Sequence, residues 1–450
     1  MRYLRSVISD ERGVAVASRP VGPPGAPPHL VGTRVGVLSG VRLPDGTVAD
    51  VTLPPTDLPG PDAVPLDAAG WRVLPAACEP HAHLDKALTA PRLPPDMGND
   101  LPAAVLAWRA LVVGIDSADI GARALAAVRR YLAHGITTVR THVDLLVEGD
   151  PFRGVDALVA LRERLRGRMT LQVCLLAGHE ATDAVVAEAV ARGVDVVGGC
   201  PHLAPDPHRE VTRMLDVAER HGLPVDLHVD EQTDLPVDGP LDIEDLATQV
   251  LARGLAGRVT ASHCVRLGML PPRRLDPVLD LVSRAGLGVV TLPITNLYLQ
   301  GRDATHATPR GLTALRRILD AGIPLAAGGD NLRDPFNPAG RADPFETTSL
   351  LMTAGHLMPA EALAAVTDGA RTVLGLPPAG VAPGDVPDLM LVPDTDPGDV
   401  LAGAEEARVV LVGGRVVADT RVARTVDLPD PPEPHGRPPA PTRRPTALSR

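Results

Sequence analysis

Residues 119–144, DIGARALAAVRRYLAHGITTVRTHVD, hold one complete structural unit and decide the fold. Asp119–His134 is an amphipathic run rich in Ala, Leu and Arg, the pattern of a surface helix. Ile136–Asp144 is short, apolar and β-branched, the pattern of a buried strand. The same alternation recurs along the chain. Strand-like runs are VLPAACEPHAH (73–83), ITTVRTHVD (136–144), MTLQVCLLA (169–177), VDVVGGCPH (194–202), PVDLHVDE (224–231), RVTASHC (258–264), GVVTLPI (288–294) and PLAAGGD (324–330). Helical stretches such as Asp183–Arg192 and Val211–His221 fall between them. Eight β/α units over roughly 75–375 predict an α/β fold closed as a (β/α)8 TIM barrel. A doubly wound open sheet is the alternative.

The flanks read differently. Residues 18–30 are rich in Pro and Gly and are expected to be irregular. From 31 to 75 short alternating runs, VGVLSGV and VADVTL, are separated by turn signals including Pro44-Asp45-Gly46. They predict short antiparallel strands. PDLMLVPD and ARVVLVGGRVVADT, near the other end, look alike. The expected division is a barrel over 75–376, a small β-sandwich assembled from 1–74 and 377–427, and a disordered Pro/Arg-rich tail at 428–450.

Composition narrows the function. Of 450 residues 44% are hydrophobic and only 2% aromatic, so the core must be built from Ala, Val and Leu. A formal net charge of −11 argues against a nucleic-acid partner and lends no support to an anionic membrane surface. No run of about 18 apolar residues predicts a membrane helix, and MRYLRSVISDERG lacks the apolar centre of a signal peptide. Cys78, Cys174, Cys200 and Cys264 form no CxxC and read as reduced thiols of a cytoplasmic protein. The partner called for is a small-molecule substrate, and a homo-oligomer is compatible with everything in the chain.

Polar residues gather where the strand-like runs end, which is where barrel enzymes carry their sites. His81 and His83 stand two apart and share a strand face, so both can reach one metal ion. His228 ends the fifth run with Glu231 just beyond it, His263 ends the sixth, and Asp330 ends the eighth. Each is bland alone; their gathering at one end of one barrel is the signal. Imidazole nitrogens with a carboxylate suit zinc or ferrous iron. Such an ion would turn water into hydroxide at neutral pH. Glu231 would carry a proton from water to the leaving nitrogen, His263 would hydrogen-bond the nucleophile or the tetrahedral centre, and Asp330 would bind metal and accept a proton.

The order EPHAHLD, GITTVRTHVD, VDVVGGCPH, DLHVDE, VTASH, NLYLQGR and GGDN–DPF resembles the amidohydrolase superfamily, most of all its cytosine deaminase branch. The resemblance implies one divalent metal, Zn or Fe, held by His81, His83, His228 and Asp330, with Glu231 and His263 as catalytic partners. It also implies the side β-sandwich. Members with two metals bridge them by a carboxylated lysine on the fourth strand. The single lysine here, Lys86 against 43 arginines, follows the first strand, so that bridge cannot form.

Three departures from the cytosine-reading pattern stand out. Leu176-Ala177-Gly178-His179-Glu180 has no glutamine to read a pyrimidine amide edge, Asn331 replaces a second aspartate, and Phe336 stands where a tryptophan caps the substrate. Hydrolytic deamination of a nitrogen heterocycle other than cytosine is therefore expected, with His179, Asn331, Phe336 and Lys86 as substrate contacts. Lys86 would meet an acidic group of the substrate, unless it is a solvated loop residue. Hydrolysis of a cyclic or small amide uses the same ligands and is the alternative. A catalytically inactive barrel with a binding role is disfavoured by the presence of Glu231.

Overall fold

The computed structural model of the protein describes residues 30–55, 62–95, 97–146, 149–235, 240–423, 425 and 427. The tail expected at 428–450 and nearly all of the irregular stretch at 18–30 lie outside the described residues.

Strands β1 (Val35–Arg42), β2 (Val48–Thr52), β3 (Val64–Asp67) and β4 (Trp71–Pro75) precede the barrel. The barrel strands are β5 (Ala77–Ala82), β6 (Ile136–Asp144), β7 (Thr170–Ala177), β8 (Val196–Gly199), β9 (Val225–Val229), β10 (Val259–His263), β11 (Gly288–Thr291) and β12 (Leu325–Ala327). All eight expected runs supply a strand. They pair in sequence order, each parallel to the next, which excludes the doubly wound alternative. The seam between first and last strands is narrow: Ala82 pairs with Asp330 in a single parallel bridge. Buried Glu79 reinforces it by accepting the backbone N–H of Gly329 at 2.8 Å. A Cβ at Gly328 would stand 2.0 Å from Glu79 Oε1, so any other residue there would have to displace that carboxylate.

The helices Ser117–Ala133, Arg153–Arg164, Pro207–His221, Asp242–Arg253 and Pro272–Ala285 cover the outside, each burying one stripe. The shared core is mostly Ala, Val, Leu and Ile, as the aromatic-poor composition requires.

β13 (Leu389–Pro393), β14 (Arg408–Val412) and β15 (Arg415–Thr420) return to the N-terminal strands. Together they form one seven-stranded sheet in the order β15-β14-β13-β4-β1-β2, with β3 beside β1. The expectation of antiparallel strands holds for the β1–β2 and β14–β15 hairpins. It is corrected for β3, which runs parallel to β1, whereas β4 meets β1 in parallel at Arg42 and Arg72 and pairs antiparallel with β13. The chain re-enters beside the start of β1, with Val64 opposite Val35, instead of turning back in a tight hairpin.

Side chains alternate faces along a strand, and β4 and β13 are buried on both. Trp71, Val73, Leu389 and Leu391 join the core of the side sheet. Leu74, Met390 and Val392 pack instead with Phe345 on the helix Pro344–Thr353. Gly135, with φ +84°, lies so close under Met390 that a Cβ would come within 2.3 Å of its sulfur. Among the described residues no helix is long and apolar enough to cross a membrane.

Candidate metal centre and active site

The barrel strands deliver the predicted residues to one end. His81 lies on β5 and His83 just beyond it, His228 on β9, His263 closes β10, and Asp330 follows β12 at the seam. His81 Nε2 is 3.0 Å from His228 Nε2, and His228 Nε2 is 3.4 Å from His83 Nε2. Asp330 Oδ1 is 3.2 Å from His83 Nε2 and 3.8 Å from His81 Nε2. All four residues are buried.

These spacings fit a metal. Four donors about 2.0–2.1 Å from a tetrahedral ion stand about 3.3 Å apart, and the observed separations of 3.0 to 3.8 Å bracket that value. Asp330 Oδ1, buried, accepts no hydrogen bond from the described residues. An orphaned carboxylate oxygen facing unprotonated imidazoles is a costly arrangement unless a cation completes it. Burial, then the neighbouring positive groups, pushes His81, His83 and His228 well below the ordinary imidazole range, so they present lone pairs. Burial followed by the charges of Glu231 and Asp334 pushes the Asp330 carboxyl well up, the response of an acid lacking its counter-ion.

His142 on β6 also enters the cluster, its ring stacked on His81 with centroids 3.8 Å apart. Its donor atom could join His81 and His228 around an ion. However, His142 Nε2 faces Asp226 Oδ2 at 3.7 Å, which leaves His83 and Asp330 the better placed partners.

The surroundings fix the ligand tautomer. The Ser262 hydroxyl donates to Asp226 Oδ1 at 2.7 Å, so toward His81 Nδ1, 3.0 Å away, its oxygen can only accept. His81 therefore carries its hydrogen on Nδ1 and turns a bare Nε2 inward. Asp226 is anchored in turn by Arg140 at 2.9 Å. His263 and Asp330 both hold left-handed backbone, φ +72° and +63°, unusual for residues with a side chain and typical of functional sites.

Glu231 stands between two imidazoles. His202 Nε2 is 3.3 Å from its Oε2, and His263 Nδ1 is 3.7 Å from its Oε1. Burial by itself would raise this carboxyl, but His263 and His202 outweigh it and hold Glu231 below the usual carboxylate value. Burial likewise opposes protonation of His202, yet the adjacent Glu231 carboxylate prevails and raises it. Asn296 Nδ2 donates to His263 Nδ1 at 3.1 Å, which leaves the hydrogen of His263 on Nε2. That Nε2 is buried and without a hydrogen-bond partner among the described residues.

A cavity of about 560 Å³ opens onto this cluster, lined by His83, His228, Glu231, His263 and Asp330 at its polar end. Lys86, His179, Asn331 and Phe336, the expected substrate contacts, all line it as well. His179 is exposed. Asn331 is buried, and its amide already donates to Asp334 Oδ2 at 2.8 Å. Lys86 is not a solvated loop residue: it is buried, its ammonium donating to Asp144 Oδ1 at 2.8 Å. Asp85 Oδ2 lies 3.5 Å from the same nitrogen. Its charge is thus balanced from within the protein. Trp108, on the helix Leu101–Val112, donates its indole N–H to the other oxygen of Asp144 at 2.7 Å and also lines the cavity.

His142, His202, Asp144, Trp108 and the Ser262–Asp226 pair were not singled out by sequence reasoning. A signal existed for Asp226, which precedes His228 by two and so shares its strand face. It existed for His142 too, near the end of its run.

The sequence pattern of the Amidohydrolase family matches residues 116–418. The chain is 32% identical over 388 residues to a pterin deaminase of Rhizobium rhizogenes, covering 84% of this chain and 87% of that protein. Its fold is similar to that of 5-methylcytosine deaminase from Klebsiella pneumoniae, with a TM-score of 0.77 at 26% identity over 87% of this chain and 99% of that one. It is also similar to N-isopropylammelide isopropylaminohydrolase from Burkholderia multivorans, with a TM-score of 0.72 at 27% identity over 86% of this chain and 98% of the other.

Proposed function

The chain belongs to the amidohydrolase family, and from that premise we propose that it hydrolytically removes the exocyclic amino group of a two-ring, pterin-like heterocycle and releases ammonia. At the coarser level it is a metal-dependent hydrolase of non-peptide C–N bonds in small heterocycles. The observation that carries the reading is the meeting of an ionised carboxylate, Glu231, and a free N–H donor, His263 Nε2, at the polar end of the cavity.

His81, His83, His228 and Asp330 would hold one zinc or ferrous ion, which supplies Lewis-acid activation of water when bound. Glu231, its carboxylate held anionic beside His202, accepts the proton of the attacking water. It then returns that proton to the departing amino nitrogen. His263 Nε2–H donates to the oxygen that becomes the carbonyl of the product. Asp330 accepts the second proton of that water and passes it to the ring nitrogen that takes up the displaced electron pair, so that the products are the neutral lactam and ammonia.

A two-ring substrate is supported by the pterin deaminase relative and by the cavity. About 560 Å³ lies within the range typical of sites for drug-sized ligands and is generous for one pyrimidine ring. Cytosine is disfavoured because residues 176–180 lack an amide side chain and the Asn331 amide donates to Asp334. We take the barrel as 75–376, with 1–74 and 377–427 forming the side domain. The four unpaired cysteines suit a cytoplasmic protein.

The test is ammonia release from the metal-loaded enzyme with pterin, cytosine, an aminotriazine and a cyclic amide. Pterin should yield stoichiometric ammonia. A kcat/KM near 10⁵ M⁻¹s⁻¹ for cytosine, well inside the common range of about 10⁴–10⁸, would overturn the substrate reading. Cleavage of the cyclic amide without ammonia would replace deamination by amide hydrolysis.

A further inference from the structure

After β8 the chain makes a short turn, Pro201–Leu203, that brings His202 against the segment 228–232. Two bonds of opposite sense tie the pieces together. His202 Nδ1 donates to the backbone oxygen of His228 at 2.9 Å, and Gln232 Nε2 donates to the backbone oxygen of His202 at 3.2 Å. A carbonyl oxygen only accepts, so the hydrogen on Nδ1 is fixed. The imidazole cannot turn, and since both of its nitrogens face groups that only accept, Nε2 carries a hydrogen too, aimed at Glu231 Oε2, 3.3 Å away. That Nε2 is fully buried and has no hydrogen-bond partner of its own among the described residues, so the carboxylate is its one polar outlook.

On the other side of Glu231, His263 Nδ1 already accepts from Asn296, so it offers no hydrogen to Oε1 at 3.7 Å. His263 therefore lacks the donor needed to fix the carboxylate. Glu231 itself follows Asp230, a residue in left-handed backbone with φ +52°. Both carboxylate oxygens of Asp230 accept backbone N–H groups of the helix Asp242–Arg253, from Asp242 at 3.2 Å and Ile243 at 2.9 Å. The main chain at Glu231 is thus clamped from one side while its side chain is gripped from the other.

We infer that His202 is a positioning residue for Glu231, holding the carboxylate toward the reacting atoms through Nε2 while Nδ1 registers the imidazole on the backbone of His228. The inference rests on the proton-carrying role proposed for Glu231. In each catalytic cycle the carboxylate must meet first a water and then a nitrogen leaving group. A carboxylate free to swing loses alignment for both, and alignment errors of about 1 Å can cost roughly 100-fold in rate.

Asparagine at 202 can keep the bond to the His228 oxygen but cannot reach Glu231, whereas glutamine can reach Glu231. Crystal structures of the wild type and of His202→Asn, both loaded with zinc, give the first readout and need no substrate. The Glu231 carboxylate should leave its wild-type position in the variant, with zinc content and melting temperature retained. Assay with whichever substrate the wild type turns over gives the second. His202→Asn should lower kcat about 10-fold to 100-fold, as loss of supporting contacts commonly does, with KM within about twofold. His202→Gln should recover part of kcat. An unmoved Glu231 carboxylate or an unchanged kcat in His202→Asn overturns the inference, and so does loss of zinc or of the fold in both variants, which would make His202 structural. A carboxylate that moves in His202→Asn, together with a wild type that releases no ammonia from any amine tested, would sustain the positioning role and sink the deaminase reading alone.

Discussion

Ser262 Oγ lies 3.0 Å from His81 Nδ1 and gives its single hydrogen to Asp226. The hydroxyl therefore selects the tautomer in which His81 Nε2 is a bare donor for metal. Ser262→Ala removes this support without touching the first-strand backbone. Loss of an outer contact to a metal-binding histidine typically costs 10–100-fold in affinity. Competition with a chelator should show zinc affinity lowered by about that factor and circular dichroism unchanged. Equal affinity in variant and wild type would remove Ser262 from the support of His81.

Glu231→Gln keeps the shape of the side chain and removes the titratable proton. Glu231 contacts His202 and His263 but none of the converging donor atoms, so metal content should stay at about one equivalent by elemental analysis. The rate constant should fall by about 10²–10⁴, the usual worth of general acid–base catalysis. A wild-type-like kcat with metal retained would exclude Glu231 as the proton carrier.

The contrast between these two residues shows what a sequence makes legible here. Glu231, His228, His81, His83, His263 and Asp330 are visible because each sits at the end of a short apolar run, and eight such runs can only form a few folds. Ser262 and His202 sit in the same runs, RVTASHC and VDVVGGCPH, yet nothing local distinguishes them from ordinary core residues. Their partners, His81 and Glu231, are remote in the chain and adjacent only once the barrel has closed. The parallel pairing of β3 with β1 was hidden for a similar reason. Alternation marks a strand and its buried face, while the direction of its neighbour depends on where the chain re-enters the sheet.

Glu79 carries a pH dependence. Burial pushes its carboxyl up to about 8, although the N–H groups of Gly329 and His81 pull the other way. Between about pH 4.5 and 8 the folded protein keeps a proton that the unfolded chain has released. Stability contributed by the proton is present at low pH and is lost as pH rises toward 8, by at most about 1.4 kcal/mol per pH unit within that window. Glu79→Gln cannot ionise and still accepts one of the two N–H bonds. Melting temperature against pH should therefore fall less steeply from pH 6 to 8.5 in the variant than in the wild type. Parallel curves would show that Glu79 does not take up a proton on folding.

The single lysine is better explained by its ion pairs than by the substrate. Lys86 is buried with Asp144 at 2.8 Å and Asp85 at 3.5 Å, and its ammonium lies 5.4 Å from the Trp108 ring centre. Burial alone would lower its proton affinity; the two aspartates raise it instead. Removing one partner of a buried pair strands the other charge, which usually costs about 3–5 kcal/mol. Lys86→Met should therefore destabilise the protein markedly and raise KM only as a consequence. The double variant Lys86→Met/Asp144→Asn should recover part of that loss, because the nearer of the two stranded carboxylates is gone and the new amide oxygen can still accept the Trp108 indole hydrogen. Chemical denaturation of the wild type, both single variants and the double variant gives the coupling energy directly. Additive losses would mean the pair is not coupled, and Lys86 would then be returned to the expected role of meeting an acidic group on the substrate.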